Sequence, residues 1–395
     1  MRKYFVLFLF LPFVFFSGCE NSINSRKTDT SVTEDDSRTN DQDTSADDAD
    51  APETVDDDAD APEVTDENEI SDTGEVDADV LENSDDADNS DDEPVVCETD
   101  PLFCFGQYYV NVINVASGDD GSPRQFRIYE PIGAEGKIPV VHFLHGFMYK
   151  ISYYDDFLMR LASHGFIVVS SQSEHKMVNG DTTIKEAEKV ITFINWLKQN
   201  IQSKVSVTAD VEHFGVSGHS RGGKVMNRVL NTDPSIATSF FGVDPVDSAP
   251  PLDGFIGDDD PQSLNVPVRF TGESMFLGTE KGPKNKLNGN TGACAPKNDN
   301  SVNFYAAYPS PSHHIIAAGV GHADMVDPED VKACNVYCST CAGSGDKGMN
   351  LMFIAYTGGL MTAFFNSTLK GLTEYENILN DPSLYPFATT VVEHK

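Results

Sequence analysis

The stretch FGVSGHSRGGK, Phe214 to Lys224, decides how the rest of the chain is read. It joins a short apolar run to a serine between glycines, with two cations close behind. Gly218-His219-Ser220-Arg221-Gly222 fits the pattern G-x-S-x-G. Such a match is common by accident, so its surroundings carry the weight. VEHFGVS (Val211 to Ser217) before it reads as a buried strand, and RGGKVMNRVL (Arg221 to Leu230) after it reads as a helix. A serine in so tight a strand-to-helix turn is lifted above the sheet. It then stands at a helix N-terminus, which favours developing negative charge. Ser220 is therefore a candidate nucleophile.

Working outward, apolar runs of strand length alternate with segments of helical periodicity. IPVVHFLHG (Ile138 to Gly146), FIVVSS (Phe166 to Ser171), ATSFFGVD (Ala237 to Asp244) and VPVRFTGE (Val266 to Glu273) read as strands. SYYDDFLMRLASHG (Ser152 to Gly165) reads as a helix with Ser152 as N-cap and Gly165 as its stop. Thr182 to Asn200 is amphipathic, with Ile184, Ala187, Val190, Ile191, Ile194 and Leu197 on one side. Met349 to Leu369 is a terminal helix of nearly membrane-spanning apolar length, but its two glycines and its Asn, Thr and Ser suit a helix docked on a sheet. Strands apolar on both sides and separated by helices predict an α/β fold: a mostly parallel central sheet with helices on both faces. Active sites of such sheets lie at the carboxyl ends of the strands.

A serine nucleophile needs a base, and the base needs an orienting carboxylate. Downstream of Ser220 stand His313, His314, His322 and His394. His322, in GVGHADM after the apolar run IIAAGV, is the preferred base, because a loop after a strand can bring an imidazole over the sheet. His313 and His314 precede their strand-like run, and His394 lies at the terminus. For the acid, Asp244 ends the strand after the elbow helix, Asp247 follows it, and Glu273 ends the next strand. An oxyanion hole needs two backbone N–H groups. That of Arg221 follows the nucleophile, and that of Phe147 lies in the loop after HFLHG. Phe147, Tyr149, Tyr153 and Tyr154 near that loop suggest an apolar substrate moiety, although the last two suit core packing equally.

The net charge of −36 is concentrated near the N-terminus. Residues 20–100 hold 32 Asp or Glu against 3 Lys or Arg. Nucleic acid is a poor partner for such a chain, since phosphate binding needs clustered Lys and Arg. The start, MRKYFVLFLFLPFVFFSGCE, has a basic end, a short apolar run and then Ser17-Gly18-Cys19. The run is too short for a membrane span and reads as a cleaved signal, residues 1–18. The small-small-Cys ending resembles a bacterial lipoprotein signal, which implies lipid on the Cys19 thiol and a place in the cell envelope, on its periplasmic or outer face. Residues 19–96 read as an acidic tether with a repeat, DDADAPETV from Asp47 and DDADAPEVT from Asp57, too poor in apolar residues to form a core. Residues 97–395 read as one catalytic domain. Its six cysteines, Cys97, Cys104, Cys294, Cys334, Cys338 and Cys341, suggest three disulfides in an oxidising compartment, with Cys97–Cys104 the local pair. The spacing C-x3-C-x2-C also admits a zinc site, but it lacks a convincing fourth ligand.

The pieces VVHFLHGF, LASHGFIVVSSQ, GHSRGGK, FGVDPVD, CAPK and VGHADM, in that order from about Pro139 to Asp327, resemble the chlorophyllase family. The family is similar to bacterial polyester hydrolases and platelet-activating-factor acetylhydrolases. The resemblance implies an α/β-hydrolase that cleaves a carboxylic ester without metal or organic cofactor. It also implies Ser220 as nucleophile, Asp244 of GVDPVD as acid and His322 of GHADM as base. The segment from Asp247 to Pro267 and the loop GTEKGPKNKLNGNTGAC depart from the family, which leaves the ester open. The expected partners are a small or lipid-like ester and, through the anchor, a membrane; a monomer is expected. A lipase, polyesterase or acyltransferase would use the same triad. A non-catalytic surface binding lipoprotein on a hydrolase scaffold is the rival of another class.

Overall fold

A computed structural model of the chain describes residues 100–173, 181–248, 260–284, 293–327 and 347–395. The expected signal peptide (1–18), Cys19 and the tether (19–96) lie outside these residues. So do Cys97, Cys334, Cys338 and Cys341, and with them the C-x3-C-x2-C segment. Cys104 and Cys294 are each disulfide-bonded.

Nine strands form one sheet in the order β1-β2-β4-β3-β5-β6-β7-β8-β9. They are β1 (Tyr109–Val115), β2 (Phe126–Ile132), β3 (Lys137–Leu144), β4 (Ile167–Ser171), β5 (Thr208–His219), β6 (Ser239–Val243), β7 (Glu273–Thr279), β8 (Ser312–Ala317) and β9 (Thr389–His394). From β4 through β8 every neighbouring pair is parallel. The remaining strands, β2 and the two edges β1 and β9, pair antiparallel. The helices are α1 (Asp155–Ser163), α2 (Thr183–Asn200), α3 (Arg221–Thr232), α4 (Ser301–Ala307), α5 (Lys347–Lys370) and α6 (Glu376–Asn380).

Strand side chains alternate between two cores. On β3, Val141 and Phe143 join the cluster under α1 and α5, and Val140 and Leu144 join the cluster under α2, α3 and α4. Burial on both faces explains why the sequence shows continuous apolar runs here and not polar alternation. α5 is long and apolar enough to cross a membrane, yet 72% of its most apolar window is buried in the fold. It is the core helix that its interrupted composition suggested.

Three expectations are corrected. The strand placed at Val266 to Glu273 begins where that segment ends: β7 starts at Glu273. Ser152 is not a helix cap. It lies in a 3-10 turn, Ile151–Tyr154, and α1 follows from Asp155 without a side-chain cap. His313 and His314, expected to precede their strand, lie inside β8, and His394, expected at a frayed terminus, is the last residue of β9.

Candidate active site

Ser220 caps the N-terminus of α3 with φ +55° and ψ −125°. A positive φ is costly for a residue with a Cβ. Of the four such non-glycine residues among those described, three sit around this site: Met148, Ser220 and Asp244. The turn that imposes the strain is over-determined. Ser220 donates its amide to the Val243 carbonyl (3.1 Å), and its own carbonyl accepts from Val246 (3.2 Å) and Gly223 (2.9 Å). Gly222 packs so closely on the end of β3 that any Cβ there would collide with the Leu144 carbonyl oxygen. The pattern G-x-S-x-G is therefore a packing requirement here. As the first residue of α3, Arg221 presents one of the helix's open N-terminal amides beside the serine.

The Arg221 side chain points elsewhere. Its guanidinium donates to Glu186 of α2 and to the Asp181 carbonyl (2.8 Å). Glu186 is fully buried and also meets Arg124 (3.4 Å). Burial opposes its charge, but the two guanidiniums outweigh that and hold its pKa at about 2.

Asp244 follows β6, and its amide donates to Leu277 (2.6 Å). Its Oδ2 accepts from His322 Nδ1 (2.8 Å) and from Thr279 Oγ1 (2.8 Å), and its Oδ1 accepts from the Thr279 amide (3.2 Å). A carboxylate that accepts from Nδ1 keeps the proton on that nitrogen and leaves Nε2 with its lone pair. The loop bearing His322 is buckled by Gly321 N–H to Asp324 Oδ2 (2.7 Å). Asn350 of α5 donates to the Asp324 and Val326 carbonyls. No Ser220–His322 hydrogen bond occurs among the described contacts; such bonds are commonly loose without substrate and tighten on binding.

The rival acids fall elsewhere. Glu273 opens β7 and pairs with His313 (3.2 Å), at the opposite end of the strands from Ser220. Misplacing the strand had put it at the wrong end. Asp247 is consumed by the Ser263 and Leu264 amides (2.7 and 2.9 Å) and the Ser263 hydroxyl. His314 bonds Glu393 (3.2 Å) and Ser301 (3.2 Å), both away from the elbow.

The loop after β3 runs under Ser220. A Cβ on Gly146 would stand 3.1 Å from that of Ser220 and 2.9 Å from the Tyr149 ring, so only glycine fits. Phe147, whose amide is the second oxyanion candidate, is half-buried between Gly146 and the left-handed, exposed Met148. His145 stabilises the loop as a neutral imidazole. Its Nε2 accepts from the Ser173 amide (2.8 Å), which leaves Nδ1–H to donate to the Gly146 carbonyl (2.8 Å). Burial lowers its pKa to about 4. Of the aromatics assigned to the substrate, Tyr154 is fully buried and belongs to the core. Tyr149 and Tyr153 are half-buried against the same cluster.

A sequence profile described as Chlorophyllase matches residues 98–395. The chain belongs to the chlorophyllase family. Chlorophyllase-1 of Arabidopsis thaliana is 32% identical over 286 residues, covering 69% of this chain and 85% of that protein. Chlorophyllase-2 of the same plant is 28% identical over 63% of this chain and 79% of its own length. Chlorophyllase-1, chloroplastic, of Citrus sinensis is 29% identical over 74% of this chain and 88% of its own. The mostly parallel sheet and its helices are those of an α/β-hydrolase, and family membership makes the chain a hydrolase acting on esters. Membership does not carry the positions of Thr279, Asn350 and Glu186, which reading the sequence missed. Each is remote along the chain from the residue it holds: the neighbouring strands β6 and β7 bring Thr279 to Asp244, and helix packing brings Glu186 to Arg221 and Asn350 to the base loop.

Proposed function

We propose that the chain is a serine carboxylesterase. His322, oriented by Asp244, takes the proton of Ser220 through Nε2, and Ser220 Oγ adds to the ester carbonyl. The amides of Phe147 and Arg221 receive the oxyanion. The alcohol leaves with the proton from His322, and water, deprotonated by the same imidazole, releases the acid and restores Ser220. The observation that carries the reading is the strained Ser220 at a helix N-terminus, cross-linked by backbone hydrogen bonds to the strand end that also holds the Asp244–His322 pair.

The substrate is an ester with an apolar moiety, consistent with the exposed Met148 and half-buried Phe147 beside the site. The names of the plant relatives make the ester of chlorophyll one candidate. Under the same proposal the enzyme is exported, held to a membrane through lipid on Cys19 and closed by three disulfides among its six remaining cysteines. The decisive test is Ser220→Ala, assayed on nitrophenyl butyrate and with a fluorophosphonate probe. Both turnover and labelling should vanish, with a loss of roughly 10⁴-fold or more in kcat, while the circular dichroism spectrum is unchanged. Retained turnover or labelling would refute the assignment.

A further inference from the structure

The geometry points to Tyr154 and His219 as positioning residues that hold the oxyanion loop and the base loop in one register. This inference rests on the esterase reading and extends it. Tyr154 and His219 are fully buried, so neither meets substrate. They nevertheless join three segments remote in sequence. The Gly146 amide donates to Tyr154 Oη (3.3 Å), Tyr154 Oη lies 2.7 Å from His219 Nδ1, and His219 Nε2 lies 3.0 Å from the His322 carbonyl oxygen.

The direction of each bond is forced. A carbonyl can only accept, so His219 Nε2 carries the proton. Burial keeps the ring neutral, and the His322 imidazole, with its centroid 4.6 Å away, disfavours a second proton. Nδ1 is then the unprotonated nitrogen and must accept. The Tyr154 hydroxyl is its donor, and the same oxygen receives the Gly146 N–H. The chain Gly146 N–H to Tyr154 O–H to His219 Nδ1, then Nε2–H to the His322 carbonyl, has no spare donor and no alternative orientation.

One end of this strut fixes the His145–Gly146 peptide, adjacent to the peptide that carries the Phe147 amide, the proposed oxyanion donor. The other fixes the backbone of the base. His219 itself is the residue before the nucleophile. The strut therefore links the elements that must agree in position when the carbonyl becomes tetrahedral. A misplacement on the order of 1 Å can cost about a hundredfold in rate. The Tyr149 ring packs against both residues.

Full-length Tyr154→Phe tests the idea, because it removes the central hydroxyl and keeps the ring. We expect kcat for nitrophenyl butyrate to fall roughly 10- to 100-fold, with KM held within about twofold. The inhibition constant of an aryl trifluoromethyl ketone, which captures Ser220 as a tetrahedral oxyanion, should rise by a comparable factor. A merely structural tyrosine would lower the melting temperature without this split. His219→Gln, which keeps an amide donor but loses the rigid ring, should give the same pattern. Should both variants fail to fold, nitrogen-15 shifts of the wild-type protein decide: His219 must be the Nε2–H tautomer and must not titrate between pH 5 and 8. An unchanged ketone affinity, a loss in KM alone, or an Nδ1–H or titrating His219 overturns the proposal. If Ser220→Ala is inactive and Tyr154→Phe is normal, only the strut falls; if Ser220→Ala is active, the esterase reading falls with it.

Discussion

On one face of the sheet, α1 and α5 meet the strands through Phe157, Leu158, Leu161, Ile354, Leu360, Met361 and Phe364. On the other face, α2 and α3 carry Glu186, Arg221, Lys224 and Arg228 into or beside the core. Apolar burial is non-directional: it holds a helix down without fixing its rotation. Charge pairs have direction. Arg221, Lys224 and Arg228 are spaced by three and four residues, hence on one side of α3. Arg221 meets Glu186; Lys224 meets Asp260 at 3.1 Å; Arg228 meets Asp260 at 3.4 Å and Thr183 at 2.6 Å. This ladder sets the rotation of the helix whose first turn frames Ser220. Buried ion pairs are poor sources of stability relative to well-packed apolar groups. Among the described Arg and Lys pairs, those with both partners less than a tenth exposed, Arg124–Glu186, Arg221–Glu186 and Lys224–Asp260, lie on the face that carries the nucleophile. The α1 pairs Arg127–Asp155 and Arg160–Asp156 are more exposed. This points to orientation as the contribution of the buried pairs.

Glu186→Ala strikes this comparison hardest. It leaves Arg124 and Arg221 buried without their shared carboxylate. The expected cost is about 3–5 kcal/mol of unfolding free energy, read by urea titration. Activity of the surviving folded fraction should fall as well, because Arg221 begins α3. A cost below about 1 kcal/mol with normal kcat would mean that the ladder orients nothing.

The same contrast explains what could be read from the sequence. The α/β architecture followed from apolar runs of β3 to β6, buried on both sides, and from the helical period between them. The elbow followed from a serine between glycines at a strand-to-helix junction, His322 followed from its loop after an apolar run, and the resemblance raised Asp244 over Glu273 and Asp247; the structure sets Asp244 and His322 2.8 Å apart. The edge strands β1 and β9 were missed because their half-exposed positions mix polar and apolar residues, and β2 was missed because Arg127, Glu130 and Pro131 interrupt its buried run. The β7 boundary failed because Val266 to Phe270 is as β-branched and aromatic as a strand, yet Val266 is 54% exposed and outside the ladder. Polar groups that end in the core, such as the Tyr154 hydroxyl, Lys224 and Glu186, give no sign of their roles until their partners are known. Those partners lie 65, 36 and 35 residues away for the His219, Asp260 and Arg221 contacts.

Acid should probe the polar side next. Burial lowers His142 to about 3 and His145 to about 4, from 6.5. For a histidine with a depressed folded pKa, the unfolded chain binds more protons below 6.5. Its stabilising contribution is thus complete above pH 6.5 and is lost as pH falls towards 4 and then 3. Glu186 has the ordinary carboxylate sign: its contribution is present above 4.5 and lost as pH falls towards 2. Between pH 6.5 and 4.5 the histidines therefore dominate, at up to about 1.4 kcal/mol per pH unit for each. Unfolding midpoints across that window should fall with acid, and His145→Gln should flatten the slope. A flat wild-type profile would show that these rings are not held neutral.

The gentlest test lies on the apolar face. Met361 of α5 is fully buried in the apolar cluster under α1 and α5, and no side-chain hydrogen bond of it occurs among the described residues. Exchange for leucine conserves volume to within what neighbouring rotamers absorb, so Met361→Leu should cost less than about 1.5 kcal/mol and leave kcat on nitrophenyl butyrate unchanged. α5 does reach the base loop, but through Asn350 at its N-terminal end, three turns from Met361. If non-directional packing only holds the helix down, small changes of shape in its middle stay local. A tenfold loss of kcat in Met361→Leu would show instead that the apolar face also positions His322, and that orientation is shared between both sides of the sheet.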